Sequence, residues 1–81
     1  MVKIRNIEIK DNILKFDYYP EGEEVKGHAE YDLNKKEVIS LEQSTSEYEY
    51  SKKYFNYALM RLKRAIEDKE DLSGTLTCMW Y

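Results

Sequence analysis

The chain has 81 residues, 42% of them hydrophobic and 36% charged, and its formal net charge at pH 7 is −3. This content of regularly spaced apolar residues excludes a disordered segment, so we expect one folded domain spanning 1–81. The single cysteine, Cys78, excludes an internal disulfide and four-thiolate zinc sites, and it favours a reducing, cytoplasmic location. The longest apolar run is four residues, 57–60, so we expect no membrane span, and the first residues lack the apolar core of an export signal.

A β-hairpin is predicted at the start of the chain. Residues 2–10 and 13–19 flank Asp11-Asn12, two residues that tolerate the positive φ of a tight hairpin turn. The apolar positions before and after Arg5-Asn6 are out of phase, which predicts a bulge there or a sheet with apolar side chains on both faces. The turn sets the register, which pairs Lys10 with Ile13, Ile9 with Leu14, Glu8 with Lys15, Ile7 with Phe16 and Ile4 with Tyr19.

Two more strands are predicted in the first half of the chain. Pro20-Glu21-Gly22 forms a turn, and residues 25–33 then alternate between apolar and polar side chains, as in a half-buried strand. The turn Asn34-Lys35-Lys36 leads into a fourth strand over 37–41, which completes a meander.

A single helix is predicted over 46–71, where apolar residues recur at helical spacing and share a stripe roughly 120° wide. Ser44-x-x-Glu47 and Ser46-x-x-Glu49 both fit a capping box at its start, and Ser73-Gly74 predicts its end. Residues 75–81 alternate again and predict a fifth strand. The order β-β-β-β-α-β indicates the α+β class, with a single mostly antiparallel β-sheet and one amphipathic helix packed on one face.

The predicted core joins the apolar side of the sheet to the apolar stripe of the helix. Each strand is expected to contribute the residues of its apolar phase, and the helix those of its stripe. The expected core residues are Ile7, Ile9, Leu14, Phe16, Ala29, Tyr31, Phe55, Leu59, Leu62, Ile66, Leu76 and Trp80.

No catalytic, cofactor-binding or metal site is predicted. The glycines are scattered and form no phosphate-binding loop. His28 lies in the polar phase of its strand and Cys78 in the apolar phase of its own, so they are expected to point to opposite faces rather than to form a nucleophilic pair. The row of His28, Glu30 and Asp32 resembles a set of metal ligands, but side chains two apart on a strand are separated by about 7 Å, too far to hold one small cation.

The outer side of the helix is the predicted binding surface. Exposed helix faces usually carry Glu and Lys, whereas this one carries residue types that are enriched in protein interfaces. The candidate residues are Tyr50, Tyr54, Tyr57, Met60, Arg61 and Arg64. Tyr18 or Tyr19, together with Tyr31 and Tyr81, can form a comparable patch on the uncovered sheet face, and tyrosines that only shield a thin core are the alternative. The expected partner is another protein or a second copy of the chain in a homodimer.

Nucleic-acid binding is the second hypothesis. Residues 51–66 hold five bases and no acid, whereas residues 11–49 hold eleven acids and four bases. A basic helix interleaved with tyrosines can contact phosphates and stack on nucleotide bases, but a sequence pI of about 5.2 disfavours binding of a polyanion. The residues for this hypothesis are Lys52, Lys53, Tyr57, Arg61, Lys63 and Arg64. A small enzyme with an unrecognised site is the third hypothesis.

Overall fold

The computed structural model describes residues 1–22, 24, 26–43 and 52–79. Its elements are β1 (Val2–Lys10), β2 (Ile13–Pro20), β3 (Gly27–Asp32), β4 (Glu37–Glu42), α1 (Lys53–Glu67) and β5 (Leu76–Cys78). The five strands of the described residues form one antiparallel sheet in the order β4-β3-β2-β1-β5, and α1 packs on one face. The α+β class and the element order predicted from the sequence are confirmed. The last strand joins the sheet at its edge, beside β1.

The turn between β1 and β2 has the predicted geometry. Asp11 and Asn12 have φ of 52° and 63°, the two positive values that a two-residue primed turn requires. The predicted pairs beside the turn are confirmed: Lys10 with Ile13, Ile9 with Leu14, and Glu8 with Lys15.

The predicted bulge in β1 is also confirmed, and it changes the pairing beyond it. The register shifts between Arg5 and Glu8, and Asn6 has a φ of 55°. Ile4 therefore pairs with Tyr18, so the expected pairing of Ile4 with Tyr19 was wrong, and Ile7 and Phe16 are not aligned partners. The extra residue inverts the phase of β1, because a shift of one residue moves every following side chain to the other face.

The centre of the core is a group of three aromatic rings. The centroids of Phe16 and Tyr18 are 6.4 Å apart, and each lies 6.2 Å from the centroid of Phe55 on α1. Contacts of this kind between rings add to the stabilisation from apolar burial. The other buried apolar residues are Val2, Ile4, Leu14, Ala29, Tyr31, Ala58, Leu62, Ala65 and Cys78.

The predicted core is correct near the centre of the sheet and wrong at its margins. Leu14, Phe16, Ala29, Tyr31, Phe55 and Leu62 are buried, and Ile7, Leu59, Ile66 and Leu76 are partly buried against them. Ile9 is 42% exposed, because it lies on β1 beyond the bulge, towards the hairpin turn. Val2, Ile4 and Tyr18 were not predicted: the bulge brings Val2 and Ile4 to the helix side, and Tyr18 shares the phase of Leu14 and Phe16 on β2. Trp80 lies outside the described residues.

The helix ends before the predicted stop at Ser73-Gly74. Its last residue is Glu67, and the amide groups of Lys69 and Glu70 donate to the carbonyl oxygens of Ile66 and Ala65 at 3.2 and 2.9 Å. These two bonds form a Schellman motif, with Lys69 at φ 55° in the position that glycine usually occupies. At the other end, Lys52 is the N-cap and makes no side-chain capping bond, and the predicted capping residues Ser44 and Ser46 lie outside the described residues.

The helix lies off the centre of the sheet. It packs against β1, β2 and β5, and it reaches β3 through Lys63, whose Nζ is 4.9 Å from the ring centroid of Tyr31. On β4, Val38, which is aligned with the buried Tyr31, is 46% exposed. The described residues therefore leave the helix side of the sheet partly open towards β4. Within the described ranges, no helix combines the length and the apolar sequence that crossing a membrane would need.

Candidate functional site

His28 and Cys78 lie on opposite faces of the sheet. His28 on β3 is aligned with Asp17 on β2, on the face that α1 does not cover. Cys78 on β5 is aligned with Val2, on the helix side, where its free thiol is 7% exposed. A nucleophilic pair of thiol and imidazole needs direct hydrogen-bond contact, and the sheet separates these two groups.

Asp17 is a buried carboxylate on the open face of the sheet, 5% exposed. Its Oδ2 accepts hydrogen bonds from Asn6 Nδ2 at 2.7 Å and Lys26 Nζ at 3.3 Å, and its Oδ1 lies 2.7 Å from His28 Nδ1. Burial by itself raises the pKa of Asp17, but hydrogen bonds from Asn6, His28 and Lys26 outweigh it and hold the pKa below its ordinary value of 3.8. Asp17 is thus an ionised group with hydrogen-bonding partners on β1, on β3 and in the loop before β3.

The bulge in β1 creates this arrangement. Asn6 occupies the left-handed region, which asparagine tolerates better than most residues, and its side chain reaches Asp17. The sequence reasoning missed Asp17. A signal was present, because Asp17 is a single acid between aromatic residues on a strand otherwise poor in charge, and such an acid requires partners when it is buried.

The imidazole of His28 lies between two carboxylates. Its Nε2 is 3.6 Å from Glu30 Oε2, on the side opposite Asp17. Asp32, the third member of the row seen in the sequence, instead accepts hydrogen bonds from the backbone amides of Asn34 and Lys35 at 2.9 and 3.0 Å. In the part of the chain that the structure describes, no three His, Cys, Asp or Glu side chains form a group able to hold a metal ion. The cluster around Asp17 is thus satisfied by its own members.

Replacing Asp17 by Asn is expected to lower the free energy of unfolding at pH 7 by about 1–2 kcal/mol, because bonds to a charged acceptor become bonds to a neutral amide. The folded pKa of Asp17 is depressed, so its stabilisation is fully present above about 3.8 and is lost as the pH falls through the folded pKa. Urea unfolding across an acid pH series should therefore show the difference between parent and variant narrowing towards low pH. Glu8→Gln, at an exposed position of β1, is the control. A difference that stays constant with pH would contradict this role.

The outer face of α1 presents part of the predicted set of binding residues. Met60 is 49% exposed, and Arg64 is exposed beside it. Tyr57 and Tyr54 are partly buried and pack against the core margin, and the Tyr54 hydroxyl donates to Glu21 Oε2 at 3.0 Å. Tyr50 lies outside the described residues. The helix therefore presents a methionine and cations at its centre, with tyrosines along one side.

Arg61 has a partner within the chain. Its Nη1 and Nη2 donate to the two carboxylate oxygens of Glu70 at 3.0 and 2.8 Å, and its Nε donates to the backbone oxygen of Thr77 at 3.4 Å. The hydrogen bond from Arg61 lowers the pKa of Glu70, and the same bond raises the pKa of Arg61. A bidentate pair of this kind fixes geometry. Arg61 therefore connects α1 to the following loop and to β5.

The remaining basic residues of the nucleic-acid hypothesis are exposed. Lys52, Lys53, Lys63 and Arg64 lie on α1 or at its N-cap, and Lys63 also covers the ring of Tyr31. Glu67 is the one acid within α1. The helix therefore presents a positive surface on a chain whose net charge is negative.

The second predicted tyrosine patch was wrong. Tyr18 and Tyr31 are 0% and 4% exposed and lie on the helix side, because their strands present these positions to the core. Tyr19 remains on the open face, where the guanidinium carbon of Arg5 is 5.0 Å from its ring centroid. Tyr81 lies outside the described residues. Of these tyrosines, the structure therefore describes only Tyr19 on the open face.

No protein-family model, curated protein or solved structure matches this chain. Two surfaces of the domain differ in their chemistry. The carboxylate of Asp17 accepts its hydrogen bonds from side chains of the same domain. The outer face of α1 instead exposes Met60, Lys53 and Arg64 to solvent.

Proposed function

We propose that this chain is a non-enzymatic, cytoplasmic protein-binding domain whose contact surface includes the outer face of α1. The observation that carries the proposal is the half-exposed Met60, at the centre of a helix face with Lys53 and Arg64. A methionine adapts its shape to different apolar partners, and arginine is enriched where proteins meet. The buried free thiol of Cys78 supports a reducing compartment.

The charge of the same face indicates an acidic partner. Lys53, Lys63 and Arg64 are exposed on α1, and Glu67 is its one acid. A symmetric homodimer formed through this face would place the same cations opposite one another, which costs free energy. An acidic segment of a different protein avoids that repulsion and gains attraction along the helix.

Nucleic acid is the competing polyanion. The exposed bases of α1 suit phosphates as well as carboxylates, but the domain as a whole carries a net charge of −3. Long-range attraction to nucleic acid is therefore weak, whereas a short acidic peptide responds mainly to the local surface. Met60 adds an apolar contact that a phosphate backbone does not use.

The test is the binding of a defined peptide to the domain and to a Met60→Ser/Arg64→Gln variant. The probe is a short fluorescent peptide with a Leu-Phe pair flanked by glutamates, and binding is followed by anisotropy. We expect the variant to melt close to the parent, because both residues are exposed, and to lose about 1–2 kcal/mol of binding free energy. Arg61 is kept unchanged because it already bonds to Glu70 within the domain.

The matched control is Ile39→Ser/Lys10→Gln, which changes an exposed apolar residue and a cation elsewhere on the surface. This control is expected to bind the peptide as the parent does. Equal binding by parent and Met60→Ser/Arg64→Gln would contradict the proposal. If the domain binds a single-stranded oligonucleotide with an affinity that falls steeply as salt is added, the nucleic-acid hypothesis is favoured. If the molecular mass in solution doubles as the protein concentration is raised, the homodimer is favoured.

A further inference from the structure

A groove lies beside the outer face of α1, between the C-terminal half of the helix and the turn from β3 to β4. Its volume is about 410 Å³, and it is lined by Tyr31, Leu33, Lys36, Lys63, Ile66 and Glu67. The groove lies where α1, which packs over β1, β2 and β5, stops short of β4, and no other described element covers that side of the sheet. Its volume lies in the lower part of the range that ligand-binding clefts occupy, about 300–1,000 Å³.

The groove is lined by apolar side chains, two ammonium groups and the carboxylate of Glu67. Leu33 and Ile66 are partly buried and pack against the core, and the ring of Tyr31 lies beneath Lys63. Among the described residues, neither Lys36 nor Lys63 has a carboxylate within ion-pair distance. The groove therefore offers apolar contact together with a net positive charge, because its two lysines outnumber the one glutamate.

Lys36 occupies an unfavourable backbone conformation. Its φ is 57°, and its amide donates to the carbonyl oxygen of Asp32 at 2.8 Å, within a turn that the Asp32 side chain also stabilises. A residue with a Cβ is strained in this region, whereas glycine adopts it freely. A lysine here therefore reduces the stability of the turn while adding a cation to the groove.

We propose that this groove receives a bulky apolar side chain from an acidic segment of the partner protein, while carboxylates beside it contact Lys36 and Lys63. This inference rests on the proposed function and names the segment that such a partner presents. Lys63 and Glu67 line the groove and are neighbours of Met60 and Arg64 on α1, at spacings of three or four residues. One extended segment crossing the helix therefore contacts both surfaces.

Lys36→Gly provides the test because its effects on folding and on binding have opposite signs. The glycine removes the unfavourable φ, so the melting temperature is expected to rise or stay unchanged. The same change removes an ammonium group from the groove, and the affinity for the glutamate-flanked Leu-Phe peptide is expected to fall about threefold to tenfold at low salt. Exchanging Leu-Phe for Ala-Ala in the peptide should weaken binding to the parent and reduce the effect of Lys36→Gly.

Lys69→Gly is the matched control. Lys69 has almost the same φ, 55°, but it lies in the C-terminal motif of the helix and does not line the groove. It is expected to raise stability in the same way and to leave peptide affinity unchanged. Equal loss of affinity in both variants would overturn the groove proposal, because it would reflect overall charge alone.

The groove and the proposed function fail separately. If Lys36→Gly binds the peptide as the parent does while Met60→Ser/Arg64→Gln binds weakly, the groove proposal is overturned and the binding face of α1 stands. If neither variant changes peptide binding, both are overturned. If the parent forms a dimer and Lys36→Gly dissociates it, the occupant of the groove is a second copy of the chain. If the parent binds an oligonucleotide and Lys36→Gly weakens that complex, the occupant is nucleic acid. Either result overturns the proposal that an acidic protein segment occupies the groove.

Discussion

Gly27→Ala is expected to lower the free energy of unfolding by about 3 kcal/mol, at the upper end of the range for overpacked cores. Gly27 on β3 is aligned with Tyr18 on β2, and the tyrosine ring lies directly over it. A Cβ at this position would overlap ring atoms Cζ and Cε1 and would lie 2.6 Å from the hydroxyl oxygen. The ring has little room to move, because Tyr18 is 0% exposed and packs against Phe16 and Phe55.

Gly74→Ala is the control for this prediction. A Cβ at Gly74 would have no atom within 4 Å, so the substitution is expected to change stability little. A double-mutant cycle locates the clash: in a Tyr18→Leu background, Gly27→Ala should cost much less than in the parent. Urea unfolding of the four proteins measures each term. Equal melting of Gly27→Ala and Gly74→Ala would show that the ring does not lie over Gly27.

Leu62→Ala is expected to lower the free energy of unfolding by about 2–5 kcal/mol, because it removes a fully buried side chain and leaves a cavity. Leu62 is 0% exposed and belongs to the core cluster between α1 and the sheet. A domain of this size has a total stability of roughly 4–12 kcal/mol, so the variant is expected to be partly unfolded near physiological temperature.

Asn56→Ala separates the packing effect from the effect of helix propensity. Asn56 is exposed on the same helix, and alanine favours the helix more than asparagine does. This variant is expected to be as stable as the parent or slightly more stable. Urea unfolding of the parent, Leu62→Ala and Asn56→Ala, fitted with one common dependence of the unfolding free energy on urea concentration, compares their stabilities. A loss of less than about 1 kcal/mol for Leu62→Ala would show that this helix face is not the buried one.

Local chemistry made the first hairpin predictable. The turn at Asp11-Asn12 depends only on two residues that accept positive φ, and the register beside it follows from the turn. The same reasoning predicted the bulge but did not carry its consequence to Val2 and Ile4. The face on which residues before a bulge lie depends on how the neighbouring strand pairs with them. That pairing is a contact across the sheet, which local sequence does not specify.

The end of the helix was not predictable from the usual glycine signal. Lys69 adopts the left-handed conformation in place of glycine, and the Schellman bonds of Lys69 and Glu70 stabilise this end of the helix. This early end also explains Arg61. In a helix continuing to residue 71, Glu70 would lie about 13 Å from Arg61 along the axis. The reversal of the chain after Glu67 is what brings the carboxylate to the guanidinium.

For the candidate binding residues, the sequence predicted only the direction in which each side chain leaves the helix axis. A rotation of about 100° per residue places Met60 and Arg64 opposite Phe55, and both are exposed. The periodicity does not reveal which outward residues already have partners, such as Tyr54 with Glu21. Nor does it reveal Asp17, whose hydrogen bonds join three separate segments of the chain.

The position of β1 between β2 and β5 affects the order in which the chain can fold. Val2, Lys3 and Ile4 pair with Cys78, Thr77 and Leu76, so the first strand obtains its second neighbour from β5, the last of the five described strands along the chain. Until β5 emerges from the ribosome, the backbone amide and carbonyl groups along that side of β1 have no strand to bind. An open strand edge of this kind recruits other chains, and a contact between segments so distant in sequence forms late. The three residues of β5 are therefore expected to protect the nascent protein from aggregation as well as to complete the sheet.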